Sequence, residues 1–412
     1  MNNSASIQIL NTVLLAGLAL TSCSGPTAYN PGDPGSDDFY ALRLLACLTN
    51  SPSCRELTPA ADPFPCAQVS SNGTIDSCTL NLTGVVTTLA GSGTNGTADG
   101  LGTAADIGGP NGMATDGRTL FISQAHSARV MTVDPATGLT TTLAGSTNGG
   151  HADGVGTAAQ FWTIRNIATD GTYVYVADAT NHRIRRVEVA TGNVTTIAGD
   201  GTNTHNDATG TAASFKFPTS VAVVGNDIYI GDSNNKVLRK IDGTTLAVTT
   251  PAGMVGSSGM MDATGTAASF GSLPGMVSPD GQNLYICDYP NHSIRKVDLS
   301  TFAVTTYAGL SGTSGHDDGP VAAARFNEPN GITTDGSSLY ISDAGNDTIR
   351  KIDLSTNMVT TIAGLAGTNG GGPGDSDGVG SAARFDQPFG LAHDGTYLYV
   401  SDTLNNKIRR IE

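Results

Sequence analysis

The sequence repeats itself. An Ala-Gly pair closes a Thr-rich apolar segment six times, at Gly91, Gly145, Gly199, Gly253, Gly309 and Gly364, with successive glycines 54 to 56 residues apart. A fixed period of this length restricts the chain to folds that stack copies of one supersecondary unit. Each period keeps one internal order. A Gly-rich loop carries an Asp, as in Asp99-Gly100 or Asp153-Gly154, and an Ala-Ala-x-Phe element follows, as in Ala158-Ala159-Gln160-Phe161. A first strand such as Gly331-Ile332-Thr333-Thr334 then runs into an Asp-Gly turn, seen at Asp116, Asp170, Asp280, Asp335 and Asp394. Asp-Gly between apolar runs is the strongest short-range hairpin signal. The second strand reads Leu339-Tyr340-Ile341-Ser342-Asp343, the third Ile349-Arg350-Lys351-Ile352, and the fourth Val359-Thr360-Thr361-Ile362-Ala363. Four antiparallel strands per period predict one propeller blade.

The ends of the repeat predict how the ring shuts. The chain stops at Glu412 after a third strand, Ile408-Arg409-Arg410-Ile411, while a spare fourth strand, Val85-Val86-Thr87-Thr88-Leu89, stands ahead of the first full period. Pairing the two completes a sixth blade and removes the exposed sheet edges. The expected fold is all-β, a six-bladed β-propeller over residues 84–412 with a shared closing blade.

The pattern Pro-x-Gly-Ile-x-x-Asp-Gly, followed by Leu-Tyr-Ile-x-Asp-x-x-Asn-x-x-Ile-Arg, resembles NHL repeats. Blade one departs most, with Gln124, Ser127 and Met131 in place of the Asp, Asn and Arg.

Composition agrees. With 53 Gly and only 14% charged residues, the chain favours short strands and tight turns over helices. The formal charge of −15 repels phosphate backbones and argues against nucleic-acid binding.

The N-terminal segment reads as an export signal. Ile7–Leu20 is mostly apolar, too short for a comfortable membrane span, and ends in Leu20-Thr21-Ser22-Cys23. This resembles a bacterial lipoprotein signal, which implies cleavage before Cys23 and lipidation of that residue. The usual basic start is absent, since the first Lys or Arg is Arg43. Residues 23–36, rich in Gly, Pro and Ser, read as a flexible tether, and Ser24 fits outer-membrane sorting. Residues 37–83 carry Cys47, Cys54, Cys66 and Cys78, whose spacings suit two disulfides better than a zinc site. Three pairings remain open. Phe39–Leu48 reads as one short helix.

Four sets of residues are candidates for chemistry. The first is Asp-x-x-Asn-x-x-aliphatic-Arg, which recurs as Asp178/Asn181/Arg185, Asp232/Asn235/Arg239, Asp288/Asn291/Arg295, Asp343/Asn346/Arg350 and Asp402/Asn405/Arg409. Asn is expected to take the left-handed conformation, and Arg to reach the carboxylate, a structural arrangement. The second is the set of loop carboxylates Asp99, Asp153, Asp207, Asp262, Asp318 and Asp377, expected as solvated turn residues. Three have a His two residues earlier (His151, His205 and His316), so His151/Asp153, His205/Asp207 and His316/Asp318 are weak metal candidates, calcium included. The third is the start of each innermost strand, expected at the channel mouth: Asn111, Arg165, Thr219, Pro274, Asn330 and Phe389. Their variety suits an asymmetric ligand. The fourth is Cys287, whose equivalents Ser123, Ala177, Gly231, Ser342 and Ser401 are all small, which predicts a buried, inert thiol.

No catalytic constellation is visible. Peptide-amidating lyases that share the repeat bind zinc with His at the strand start, and none of the six equivalents here is His. Lactonase-type propellers use Glu, Asn and Asp around a central divalent ion; Asn111 and Asn330 imitate part of that set, but Glu328 precedes Pro329 in a loop. There is no Gly-x-Ser-x-Gly elbow. The sequence therefore predicts a monomeric, lipid-anchored binding or scaffold module of the bacterial cell envelope, outer membrane included. Its loop face would meet a protein, peptide or glycan, without a cofactor. A metal-dependent hydrolase or lyase and an adhesive envelope component are the alternatives.

Overall fold

The computed structural model describes residues 79–366 and 373–412. The signal, Cys23, the tether, the expected helix and Cys47, Cys54, Cys66 and Cys78 lie outside the described residues. Six antiparallel sheets follow one another along the chain. In blade five, innermost to outermost, the strands are Pro329–Thr334, Ser338–Asp343, Thr348–Asp353 and Met358–Ala363. The outermost strand pairs in five blades with a two-residue fifth strand, Gly319–Pro320 in blade five, just before the turn that starts the Ala-Ala-x-Phe element. This short fifth strand was not expected. It caps an edge that would otherwise offer unpaired backbone groups. In blade three it shrinks to a single bridge, Thr209 to Ala247.

The second strand is apolar on both faces because both faces are covered. Leu339 and Ile341 pack into the core between blades four and five, while Tyr340 packs into the core between blades five and six. Six such cores exist, one at each blade interface. The turn after the first strand uses Asp as expected: Asp170 Oδ1 accepts the backbone N–H groups of Thr172 and Tyr173 at 2.8 and 2.7 Å, and Gly171 takes φ +85°.

The innermost strands approach one another closely, and this explains the Gly of Pro-x-Gly. A Cβ at Gly331 would stand 1.9 Å from the Phe389 carbonyl oxygen, and one at Gly390 2.3 Å from that of Asn111. The small residue on the second strand completes the contact. Ser342 Oγ accepts from Gly331 N–H at 2.7 Å and donates to the Phe389 carbonyl at 2.6 Å. Cys287 fills the same slot in blade four. It is fully buried, its Sγ lies 3.8 Å from the Gly331 carbonyl, and burial pushes its thiol well up.

Blade six closes as predicted. Val85–Ala90 pairs antiparallel with Lys407–Ile411, and Gly84 N–H donates to the Glu412 carbonyl at 2.8 Å. Just upstream, Leu80 is buried between blades five and six, and its N–H donates to Asp335. Deleting residues 84–91 will strip blade six of its outer strand and open the ring. Calorimetry should then show a broad, non-cooperative transition; a single sharp endotherm at the parent temperature would refute the closure.

Candidate functional site

The repeated Asp, Asn and Arg form one buried network per blade, from blade two to blade six. Each Arg side chain has no exposure, and neither does the second-strand Asp it meets. Nη1 reaches that Asp at 2.7–3.0 Å. Nη2 reaches the loop Asp of the same blade at 2.6–2.8 Å. The guanidinium stacks on the Phe of Ala-Ala-x-Phe, 4.8–5.3 Å from its centroid. Burial is the largest influence on the inner carboxyls and lifts Asp232, Asp343 and Asp402 to about 6, against the pull of Arg, Asn and backbone N–H groups.

One expectation needs completing and one correcting. The loop carboxylates are half exposed, as expected, but also bound: Asp153 takes Arg185 on Oδ1 and accepts Thr196 N–H and Oγ1–H on the outer strand. A cation would have to compete with a guanidinium for those oxygens. Among the described residues no three His, Cys, Asp or Glu gather as a metal group. His151 and His316 are exposed, and His205 bonds Thr250 at 2.9 Å while its Nε2 stands 3.9 Å from Asp207. The left-handed residue is also not the motif Asn but the one after it. His182, Lys236, His292, Asp347 and Asn406 take φ between +53° and +64°, while Asn181 uses Nδ2 to bridge Asp178 and the Gly150 carbonyl.

Blade one replaces the network as a unit. Arg129, two residues ahead of Met131, turns in to bond Gln124 Oε1 and Thr142 Oγ1, and Ile107 stands where the other blades have Phe.

The turns between second and third strands and the starts of the inner strands form the rim of the channel mouth. The backbone there repeats from blade to blade. Trp162, Lys216, Gly271, Asn327 and Asp386 each donate their N–H to the buried Asp of their blade at 2.6–2.8 Å. Latches between blades, which sequence reasoning missed, join this frame. His182 Nδ1 accepts Phe217 N–H, His292 Nδ1 accepts Glu328 N–H, Asp347 accepts Gln387 N–H and Asn406 accepts Gly109 N–H. Only a residue-by-residue comparison of the turns, looking for acceptors, would have shown them.

The side chains on this frame do not repeat. Of the expected mouth residues, Asn111 and Thr219 are buried, and Arg165, Pro274, Asn330 and Phe389 are half-buried. Thr219 is used internally, donating to the Leu273 carbonyl at 3.0 Å. Arg165 stacks over Phe217 at 5.7 Å and makes no hydrogen bond, its Nε being buried without a partner. Desolvation lowers its pKa. Trp162 is 54% exposed beside it on the rim. A cavity of about 130 Å³ lies further along the channel, lined by the later halves of the inner strands, not by these residues. Its one titratable group is His393, whose Nδ1 accepts Gly395 N–H and whose Nε2 bonds the Thr334 carbonyl.

No family model matches the chain. It is 27% identical over 304 residues to NHL repeat-containing protein 2 of Homo sapiens, covering 64% of this chain and 41% of that protein. The chain spans less than half the length of the curated relatives it matches. A protein of unknown function from Bacteroides thetaiotaomicron superposes with TM-score 0.63 at 23% identity, covering 79% of this chain and 75% of that one. An auxiliary nutrient binding protein from the same organism superposes with TM-score 0.59 at 16% identity, covering 80% and 76%. With the six-bladed architecture, these likenesses make the fold an NHL-type propeller.

Two stability predictions follow from the network and the latches. Arg350→Ala leaves Asp343 buried and uncompensated, so urea titration should show a loss of roughly 3–5 kcal/mol. Arg186→Ala, whose guanidinium only stacks on Tyr173, should cost at most about 1 kcal/mol. Desolvation and the neighbouring Arg183 hold His182 below its usual value of 6.5. A base whose pKa is depressed by folding takes up its proton first in the unfolded chain. The stability its neutral form contributes is therefore whole above pH 6.5 and declines as pH falls below it. His182→Asn retains a latch acceptor, as Asn406 does in blade six, so this variant should lose less stability than wild type between pH 7 and 5 in denaturant midpoints. An equal loss would count against the latch.

Proposed function

We propose that this NHL-type six-bladed propeller is a lipid-anchored binding module of the bacterial envelope, attached through Cys23 and presenting its channel-mouth rim to a protein, peptide or glycan partner. One observation carries the reading: the rim backbone is held identically in blade after blade, while its side chains differ at nearly every copy. A surface kept rigid and made asymmetric suits recognition of one ligand in one orientation. The solved structure described as an auxiliary nutrient binding protein shares the fold, which accords with a binding role.

The channel supports recognition better than catalysis. His393, the one titratable group lining the cavity within it, already has both ring nitrogens bonded to the backbone of its own and the neighbouring blade. The test is capture of partners from envelope extract by the full-length protein, compared with the double variant Arg165→Ala/Phe389→Ala. One partner should be lost from the variant while its melting curve is unchanged. An identical set of captured proteins and glycans would refute a mouth-centred site.

A further inference from the structure

The charges on the rim are sorted into halves. On blades two and three, Arg165 stacks on Phe217, and Lys236, partly desolvated, feels both the attraction of the buried Asp288 and the repulsion of Lys216, the residue before Phe217. None of these three cationic side chains has a hydrogen bond or ion pair to any described residue. On blades five and six stand Glu328, Asp347 and Asp386. Burial raises the Asp347 pKa, and repulsion from Asp386 adds to it against the Gln387 N–H bond. Their only bonds are to neutral donors, Tyr289 Oη–H on Glu328 at 2.9 Å and Gln387 N–H on Asp347 at 2.9 Å, and no described cation pairs with them. In a ring of six, blade two faces blade five and blade three faces blade six. Three cations that make no ion pair among the described residues therefore oppose three carboxylates that make none across the channel mouth.

We propose that the mouth binds a short extended peptide, its acidic end on the Arg165 half and its cationic end on the Asp347 half; this rests on the mouth-binding reading above and names its ligand class. A polyanionic glycan would gain one half and be repelled by the other, and a polycation the reverse. A peptide with free termini carries both charges on one chain and complements both halves. Phe217, Phe389 and Trp162 offer apolar surface to its side chains. The Arg165 guanidinium is half-buried, and its Nη groups have no hydrogen-bond partner among the described residues, so a ligand carboxylate would supply bonds that the protein leaves unmade. The net charge of −15 makes an unpaired cationic patch costless to solubility, and so free to serve recognition.

The test is titration calorimetry of full-length protein in mild detergent with a Lys-Ala-Ala-Ala-Glu peptide bearing free termini. Comparators are a form amidated at its end with Gln for Glu, a form acetylated at its start with Gln for Lys, and an oligogalacturonate. The free peptide should bind. Losing either charged end should weaken binding about tenfold or more, the scale of one charged hydrogen-bonded contact. Arg165→Ala should weaken the free peptide by a similar factor and cease to discriminate the amidated form, while Arg165→Lys retains part of the discrimination. Asp347→Asn/Asp386→Asn should abolish discrimination of the acetylated form, with the Asn keeping the latch acceptor. Equal binding of all peptides, tighter binding of oligogalacturonate, no peptide binding, or an unaffected Arg165→Ala variant overturns the assignment. Partner capture lost in the Arg165→Ala/Phe389→Ala variant alongside absent peptide binding would retain a mouth site and reject the peptide; unaltered capture would reject the mouth site itself.

Discussion

The guanidinium buried in each of five blades is the bond on which the architecture turns. A fully buried charge costs several kcal/mol to desolvate and is tolerated only when its hydrogen bonds are met. Arg350 meets that condition through Nη1 and Nη2, leaving only its Nε unpartnered, by joining three stretches of its blade: Asp343 at the end of the second strand, Asp318 in the long loop, and the Arg325 and Asp317 carbonyls beside Phe326. A Gly-rich loop of this length would otherwise be expensive to order. The arginine fixes it, and the loop in turn places Phe326 against the neighbouring blade.

Ring closure uses the same bond across the two ends of the domain. Arg409 holds Asp402 and Asp377, and Asp377 accepts the N–H and hydroxyl of Thr88 on the strand donated from the start. The donated strand thus contributes more than a backbone ladder; it supplies the threonine that every other blade finds on its own fourth strand. Loss of that strand leaves a guanidinium network unfinished as well as an edge exposed. Leu80, buried upstream of it and bonded to Asp335, extends the anchorage into the next interface.

The number of blades, the strand order and the closure were legible because each is written in a pattern that repeats and has a fixed physical meaning: Asp-Gly for hairpins, apolar runs for strands covered on both faces, a missing fourth strand for closure. The Gly-rich flanks of the loop aspartates argue for solvent, which they do meet, but the guanidinium that also binds them was missed because it lies about thirty residues on, in the third strand. The latches were invisible for a different reason. Four acceptors of three types do one job there, so identity is not conserved between repeats even though geometry is. Blade one shows the limit from the other side. Its loss of Asp, Asn, Arg and Phe together is plain in the sequence, yet nothing in residue type says that Arg129 turns inward from the neighbouring position to compensate.

The rim draws its freedom from the same network that fixes the blades. Each buried Asp takes its rim contact from a backbone N–H, at Trp162, Lys216, Gly271, Asn327 and Asp386, and a backbone donor places no demand on the side chain it belongs to. The positions most tightly fixed in space are therefore the ones least constrained in chemistry. That is why an indole, an ammonium, a hydrogen, an amide and a carboxylate occupy one structural slot around the ring. Asymmetry on a symmetric frame needs no insertion or added domain. It needs only that the frame be held by main chain, and the charge separation across the mouth is what this chain has made of that latitude.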